Sequence, residues 1–290
     1  MNIIEPTCEI WEPQPGMVGI LKHIERVGRV CYKSEDKITE DSHVRFVDML
    51  VNAKHLAMLE HGTIYLTVPK SEEFVINIYN NNPYSRVHCP NGDYAYITTN
   101  SRVIIENDWQ SDLKWMVSKP TKHPRRVTVH FSTQIAISRE FNRHRSNSMA
   151  EESSRYCNYS KEKFGGEINV SLPSWLSRKD VEIQAAFPEY CYSIVNDNNH
   201  DWDCIDYWLF ANLACEYAYM NLIRLGWTPE KARVVLPLDT NTELVHTAFV
   251  EDWKHFLDLR CHGKTGKPHP DAQKIAEKLY QKLKDLKYIK

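Results

Sequence analysis

The stretch "FNRHRSNSMAEESSRY", Phe141 to Tyr156, gathers groups able to hold an anion or move a proton. Arg143, His144 and Arg145 run together, Glu151 and Glu152 follow, and Ser153, Ser154 and Arg155 close the run. A guanidinium offers a planar fork of donors that never loses its charge, which suits phosphate oxygens and the carbonyl edge of a planar ring. A serine hydroxyl donates or accepts, and backbone N–H groups of an adjacent turn can join it. Two more arginines stand in comparable settings, Arg233 in "KARVVLP" and Arg260 in "FLDLRCHGK". Together they point to a phosphorylated, planar ligand. Taken singly, each fits ordinary surface pairing with a glutamate, which is worth little.

Other chemistries lack their signatures. No GxGxxG, Walker loop or GxSxG occurs, so a dinucleotide in a doubly wound fold and a hydrolase elbow are both excluded. His255, Cys261, His262 and His269 form the nearest metal-like cluster without zinc-ligand spacing, and no metal is expected. His55, Glu60 and His61 sit where a helix should meet a strand, and they suit a buried capping role as well as a ligand contact.

The elements that must position these residues follow from periodicity. Helical spacing predicts helices over 17–32 and "HVRFVDMLVNAKH", the second burying Val44, Val47, Met49, Leu50 and Val51. "TIYLTV" alternates and is a strand. Residues 69–126 are rich in turn formers, with Asn91-Gly92 a hairpin-turn candidate, and read as an inserted excursion in which "RVIIE" is short strand or helix. "RVTVHFS" is a strand with Val127, Val129 and Phe131 on one face. A helix capped by Ser132 or Thr133 should then carry the arginine motif near its C-terminal end, with Arg139 and Arg143 on one face. Loop is expected over 158–173, and helices over 179–195, 203–225 and 271–288. Gly226 should stop one helix, and Thr228-Pro229 should start the next. "NTELVHTAFVEDWKHFLDLR" begins as strand or helix and is helical from about Glu251.

A chain of 290 residues, 42% hydrophobic and 11% aromatic, can bury a large core. With no repeat or linker it reads as one elaborated domain over 1–290. A net charge of −2 gives no global reason to bind nucleic acid, and "KPTKHPRR" reads as a solvated loop. Eight cysteines without regular spacing imply no disulfide framework. The N-terminus lacks signal-peptide features, and the most apolar stretch, "YWLFANLACEYAYMNLIRLGW", carries Asn212, Glu216, Asn221 and Arg224. A soluble, cytoplasmic protein without membrane contact is the expectation.

Arg143-His144-Arg145, seven residues and then Ser153 resemble the RHR-x7-S signature of the flavin-dependent thymidylate synthases. "RVCYKSED", "HLAMLEH", "KARVVLP" and "WKHFLDLR" resemble further stretches of that family in the right order, covering residues 26–285 apart from 69–126. The resemblance implies an α+β fold, an antiparallel sheet packed with long helices, with 69–126 inserted between two strands. It implies reductive methylation of dUMP to dTMP with methylenetetrahydrofolate, FAD and NADPH, in a homotetramer whose site is shared between subunits. It places Arg143, His144, Arg145 and His255 against FAD, with Arg143 also near the nucleotide and Glu151 between flavin and substrate. Glu152, Ser153, Ser154 and Arg155 would cradle dUMP, with Arg155 on the phosphate and Arg233 as a second contact. Arg260 would be the catalytic residue, facing the uracil and favouring ionisation of its N3.

Three positions depart from the pattern. Ala57 replaces a usual Ser or Thr, Glu140 replaces a usual Gln that contacts dUMP, and Phe249-Val250-Glu251 replaces an Asn-x-Arg that helps hold FAD. These leave two alternatives open, a flavin-dependent dUMP hydroxymethylase and a non-catalytic nucleotide-binding relative.

Overall fold

The computed structural model describes residues 1–185 and 202–290. Its centre is a four-stranded antiparallel sheet in the order β2-β6-β9-β7, built from β2 (Thr7–Trp11), β6 (Arg126–Gln134), β9 (Asn241–Phe249) and β7 (Ser148–Glu151). β6 and β9 pair along their whole length, from Arg126 opposite Phe249 to Gln134 opposite Asn241. Both faces of this pair are covered, and the period of two sorts the side chains between them. Val127, Val129, Phe131, Leu244 and Ala248 join one core with α9 (Val250–Arg260), α10 (Pro270–Asp285) and α5 (Ile135–Phe141). On the other face Val245 packs with Trp11, Val27 and Val30, the latter two from α1 (Gly16–Val30). There Thr128 and Thr247 share a hydrogen bond at 2.7 Å and meet His23 and His61 at 3.0 and 2.8 Å. Burial pulls the pKa of both histidines down, His23 to about 4.

Residues 69–126 carry elements of their own. β5 (Tyr94–Asn100) pairs along all of β3 (Thr63–Pro69) and with β4 (Arg86–His88), the Asn91-Gly92 turn lying between β4 and β5. α3 (Glu73–Asn80) precedes β4, and "RVIIE" resolves as helix, α4 (Ser101–Glu106), because Asn100 caps it by accepting from the Val103 N–H at 3.1 Å. α1, β3, α4 and α2 (Ser42–Asn52) share a second core. Val44 and Met49 of α2 are half exposed, contrary to the expected face, and His43 and Phe46 are buried instead. The Phe46 ring occupies space that Gly28 leaves free, since a Cβ there would lie 2.7 Å from it.

The expected loop 158–173 contains a short strand, β8 (Asn169–Ser171), parallel to β1 (Asn2–Ile4). α6 (Arg178–Ala185) begins the helix expected over 179–195, the remainder of which lies outside the described residues. α7 (Cys204–Arg224) starts with a capping box, Asp203 accepting from Asp206 N–H and Asp206 from Asp203 N–H. Gly226, at φ 93°, ends it, and α8 (Pro229–Ala232) starts on Pro229. No helix among the described residues is long and apolar enough to cross a membrane.

Candidate active site

α5 ends at Phe141, whose fully buried ring packs against Phe131 and Phe256 with centroids 5.0 and 4.9 Å away. That anchor stops the helix before the arginines. Arg143-His144-Arg145 therefore lies in the turn between α5 and β7 rather than on a helix, and Arg139 and Arg143 share no helical face. Ser132 and Thr133 belong to β6, and the α5 N-cap is Gln134 with no side-chain cap bond.

β9 braces the turn from beneath. Asn147 Nδ2 donates to His246 Nδ1 at 3.2 Å, and His246 Nε2 donates to Asn142 Oδ1 at 3.1 Å. One nitrogen accepts and the other donates, so the ring is neutral; complete burial pushes its pKa down to about 3. Arg260, the last residue of α9, reaches the same turn. Its Nη1 lies 2.5 Å from Glu140 Oε2, its Nη2 donates to the Glu140 carbonyl at 2.8 Å, and its Nε donates to His144 Nε2 at 3.2 Å. His144 accepts, so it too is neutral: burial, then the charges of Arg260, His255 and Arg143, take its pKa to about 4. His255 faces it one helical turn earlier on α9, ring centroids 5.9 Å apart. These residues open onto a cleft of about 730 Å³ that Arg143, Arg145 and Lys267 also line. Those three cations are exposed and have no carboxylate partner among the described residues.

The residues at the far end of β7 divide into buried and exposed groups. The Glu151 carboxylate accepts from Ser138 Oγ and Asn142 Nδ2, both at 2.7 Å, and from Thr242 Oγ1 at 3.4 Å. Glu152 points inward, accepting from the Tyr159 hydroxyl at 3.0 Å with Lys33 Nζ at 3.7 Å. Lys33 holds a left-handed backbone (φ 47°), uncommon for a side-chain-bearing residue, and gives its ammonium chiefly to Glu243. Burial disfavours both charges of that pair. Glu152 and Glu243 still raise the Lys33 pKa, while bonds from His130 and Lys33 bring Glu243 down to about 2. With Lys33 so committed, burial dominates at Glu152 and pushes its pKa up to about 7.

Ser153, Ser154 and Arg155 form the turn that follows, the two serines half-buried and Arg155 exposed. The Ser153 N–H donates to Cys31 O at 2.9 Å, and its carbonyl accepts from the N–H groups of Tyr156 and Cys157. Arg155 lies 3.2 Å from Glu230, with both side chains about half exposed, and Arg233 Nη1 donates to Ser154 Oγ at 3.3 Å. The fold thus brings Ser154, Arg155 and Arg233 together, and separately Glu140, Arg143, His144, Arg145, His255 and Arg260. No hydrogen bond or ion pair among the described residues joins the two groups, and β7 between them spans roughly 10 Å.

Ala57 is exposed, and so is Glu251, in the first turn of α9 where the helix dipole favours a carboxylate. Of the motif histidines, His55 is exposed and His61 is buried on Thr247, while Glu60 pairs with Arg102 at 2.7 Å. Sequence reasoning missed the supports: Ser138, Asn142 and Thr242 on Glu151, His246 beneath the turn, and the Lys33–Glu243–His130 cluster. Their one sequence signal was the run of polar residues, Asn241, Thr242, Glu243, His246 and Thr247, among the apolar ones of a central strand.

Comparison with known proteins places this arrangement. The family described as "Thymidylate synthase complementing protein" matches residues 114–286, so the match includes the arginine turn, β7, β9 and α9. The chain belongs to that family. A flavin-dependent thymidylate synthase from Synechocystis sp. is 34% identical over 64 residues, 22% of this chain and 30% of the relative's length. Among solved structures, a UMP/dUMP methylase PolB from Streptomyces cacaoi bound with 5-Br dUMP aligns over 99% of this chain and 93% of its own, at 16% identity and a TM-score of 0.43. The same methylase bound with 5-Br UMP gives the same identity and TM-score over 92% of its chain.

Proposed function

We propose that the chain is a flavin-dependent enzyme that modifies a pyrimidine deoxynucleotide monophosphate, converting dUMP to dTMP with methylenetetrahydrofolate as carbon donor and NADPH as reductant. The observation that carries this reading is the convergence of Arg260 from α9 onto the Arg143–Arg145 turn, on a cleft lined by three cations without carboxylate partners among the described residues.

The residues present suit a flavin dinucleotide. Arg143, Arg145 and Lys267 supply charge for a diphosphate, and His144 and His255 supply flat faces at the cleft wall. Bound there, reduced flavin would supply a hydride. Arg260 presents a fixed cation to the pyrimidine edge, which favours negative charge developing on the ring. His144 orients that fork by accepting at Nε2, and stays able to do so because it stays neutral. Arg155 and Arg233, with Ser154, offer donors for the 5′-phosphate. Their separation from the Arg260 group within one protomer supports a site completed by a second copy of the chain, as in a homotetramer. The segment 69–126 is read as an insertion in this scaffold, within one domain spanning 1–290.

The test is incubation with dUMP, methylenetetrahydrofolate, FAD and NADPH followed by mass analysis of the nucleotide. A methyl-sized gain supports the reading. A hydroxymethyl-sized gain supports the hydroxymethylase instead, and a protein that binds nucleotide but never flavin is the non-catalytic relative.

A further inference from the structure

Glu140 places a carboxylate at the cleft wall beside Arg260. Its carboxylate is held by Arg260 through Oε2 only, and Oε1 accepts no hydrogen bond among the described residues. Arg260 in turn commits three of the five N–H groups of a guanidinium, to Glu140 Oε2, the Glu140 carbonyl and His144, leaving one on each terminal nitrogen. Both side chains are partly buried and line the cleft wall. The pair therefore displays a carboxylate acceptor beside guanidinium donors.

A uracil ring presents an O4 acceptor, an N3–H donor and an O2 acceptor. Against this pair it can use N3–H and one carbonyl, but its O4 finds no donor in Glu140. A cytosine ring presents a 4-amino donor beside two acceptors, N3 and O2. Glu140 accepts from the amine while Arg260 donates to the acceptors, and every group is satisfied. A carboxamide at position 140 could serve O4 instead, because an amide carries donors as well as an acceptor.

We propose that Glu140 makes this site a reader of 4-amino pyrimidines, so that it takes dCMP as well as dUMP. The inference rests on the proposed assignment of the cleft to a pyrimidine nucleotide. It assigns Glu140 a specificity role through direct contact with the base. A site built to accept from an N–H discriminates strongly once the acceptor is altered, because a buried polar group is then left unpaired.

The experiment is equilibrium binding of dCMP and dUMP to the flavin-loaded protein, in the wild type and in Glu140→Gln. The wild type is expected to bind dCMP within about ten-fold of dUMP, or more tightly. Glu140→Gln should shift the ratio of the two affinities toward dUMP by at least about ten-fold, the effect of losing one charge-assisted hydrogen bond. A ratio compares two ligands on one folded protein, so a general loss of stability does not imitate it. Wild-type protein that binds dUMP and leaves dCMP unbound overturns the inference while leaving the proposed function in place. An unchanged ratio in the variant also overturns it. Failure to bind either monophosphate sinks both.

Discussion

Ser138 on α5 donates its hydroxyl to Glu151 at the end of β7 at 2.7 Å, tying together the two elements that bracket the arginine turn. The same carboxylate oxygen accepts from Thr242 at the longer distance of 3.4 Å. The two bonds should therefore differ in weight. Ser138→Ala is expected to cost about 1.5–3 kcal/mol of stability, as for loss of a hydrogen bond to a carboxylate, and Thr242→Ala clearly less. Urea unfolding of both variants checks the order. Equal losses would mean that Ser138 does not set the position of Glu151.

The contrast between Glu151 and its supports shows what could be read from the chain and what could not. The family was legible in Arg143, His144, Arg145 and Ser153 because their spacing is local and fixed. β6 and the start of α9 were legible because burial imposes a period that the residues obey. Asn147 and His246 are 99 positions apart, and no local pattern announces that one will brace the other. The helix expected to carry the arginine motif ends early for a tertiary reason: Phe141 is claimed by Phe131 and Phe256. The face of α2 was misjudged similarly. Counting Val and Met could not reveal that Gly28 leaves room for Phe46, and that choice rotates Val44 and Met49 outward.

Arg155 and its partner Glu230 are both about half exposed, so their pairing contributes little to folding. Arg155→Ala should leave the unfolding midpoint nearly unchanged and weaken dUMP binding by ten-fold or more. Deoxyuridine, which lacks the phosphate, should be affected much less. Isothermal titration with both ligands decides the matter: equal losses would remove Arg155 from the phosphate.

Arg86 and Arg102 are the two arginines of the 69–126 segment that lie ahead of its closing loop, and their neighbours define what they can do. Arg102 spans Glu60 and Glu106 at 2.7 and 2.9 Å, and Arg86 lies 3.7 Å from Asp252 and over the Phe249 ring. With Arg102 so neutralised, replacing both residues by Ala should leave FAD affinity within about two-fold and lower stability by about 1 kcal/mol at most. Titration of FAD against the apo-protein, followed by flavin fluorescence, measures the first. A ten-fold loss would show that this segment supplies the donors that Ala57 and Glu251 do not.

The buried Glu152 carboxyl makes the stability of the fold depend on pH. Burial raises its pKa from an ordinary 4.5 to about 7 in the folded protein. Between those values the unfolded chain has released the proton and the folded chain keeps it, so the folded state binds more protons. Stability must then fall as pH rises from about 4.5 to 7, and the penalty levels off above 7. A shift of this size corresponds to about 3 kcal/mol at the plateau. Glu152→Gln removes the titration while keeping an acceptor for the Tyr159 hydroxyl. The variant should therefore gain on the wild type by about 2 kcal/mol between pH 5 and 8, whatever their absolute stabilities. Subtracting the two urea-derived profiles cancels the buried histidines, which titrate identically in both proteins. A difference that stays flat across that range would mean that Lys33, despite its commitment to Glu243, keeps Glu152 ionised throughout.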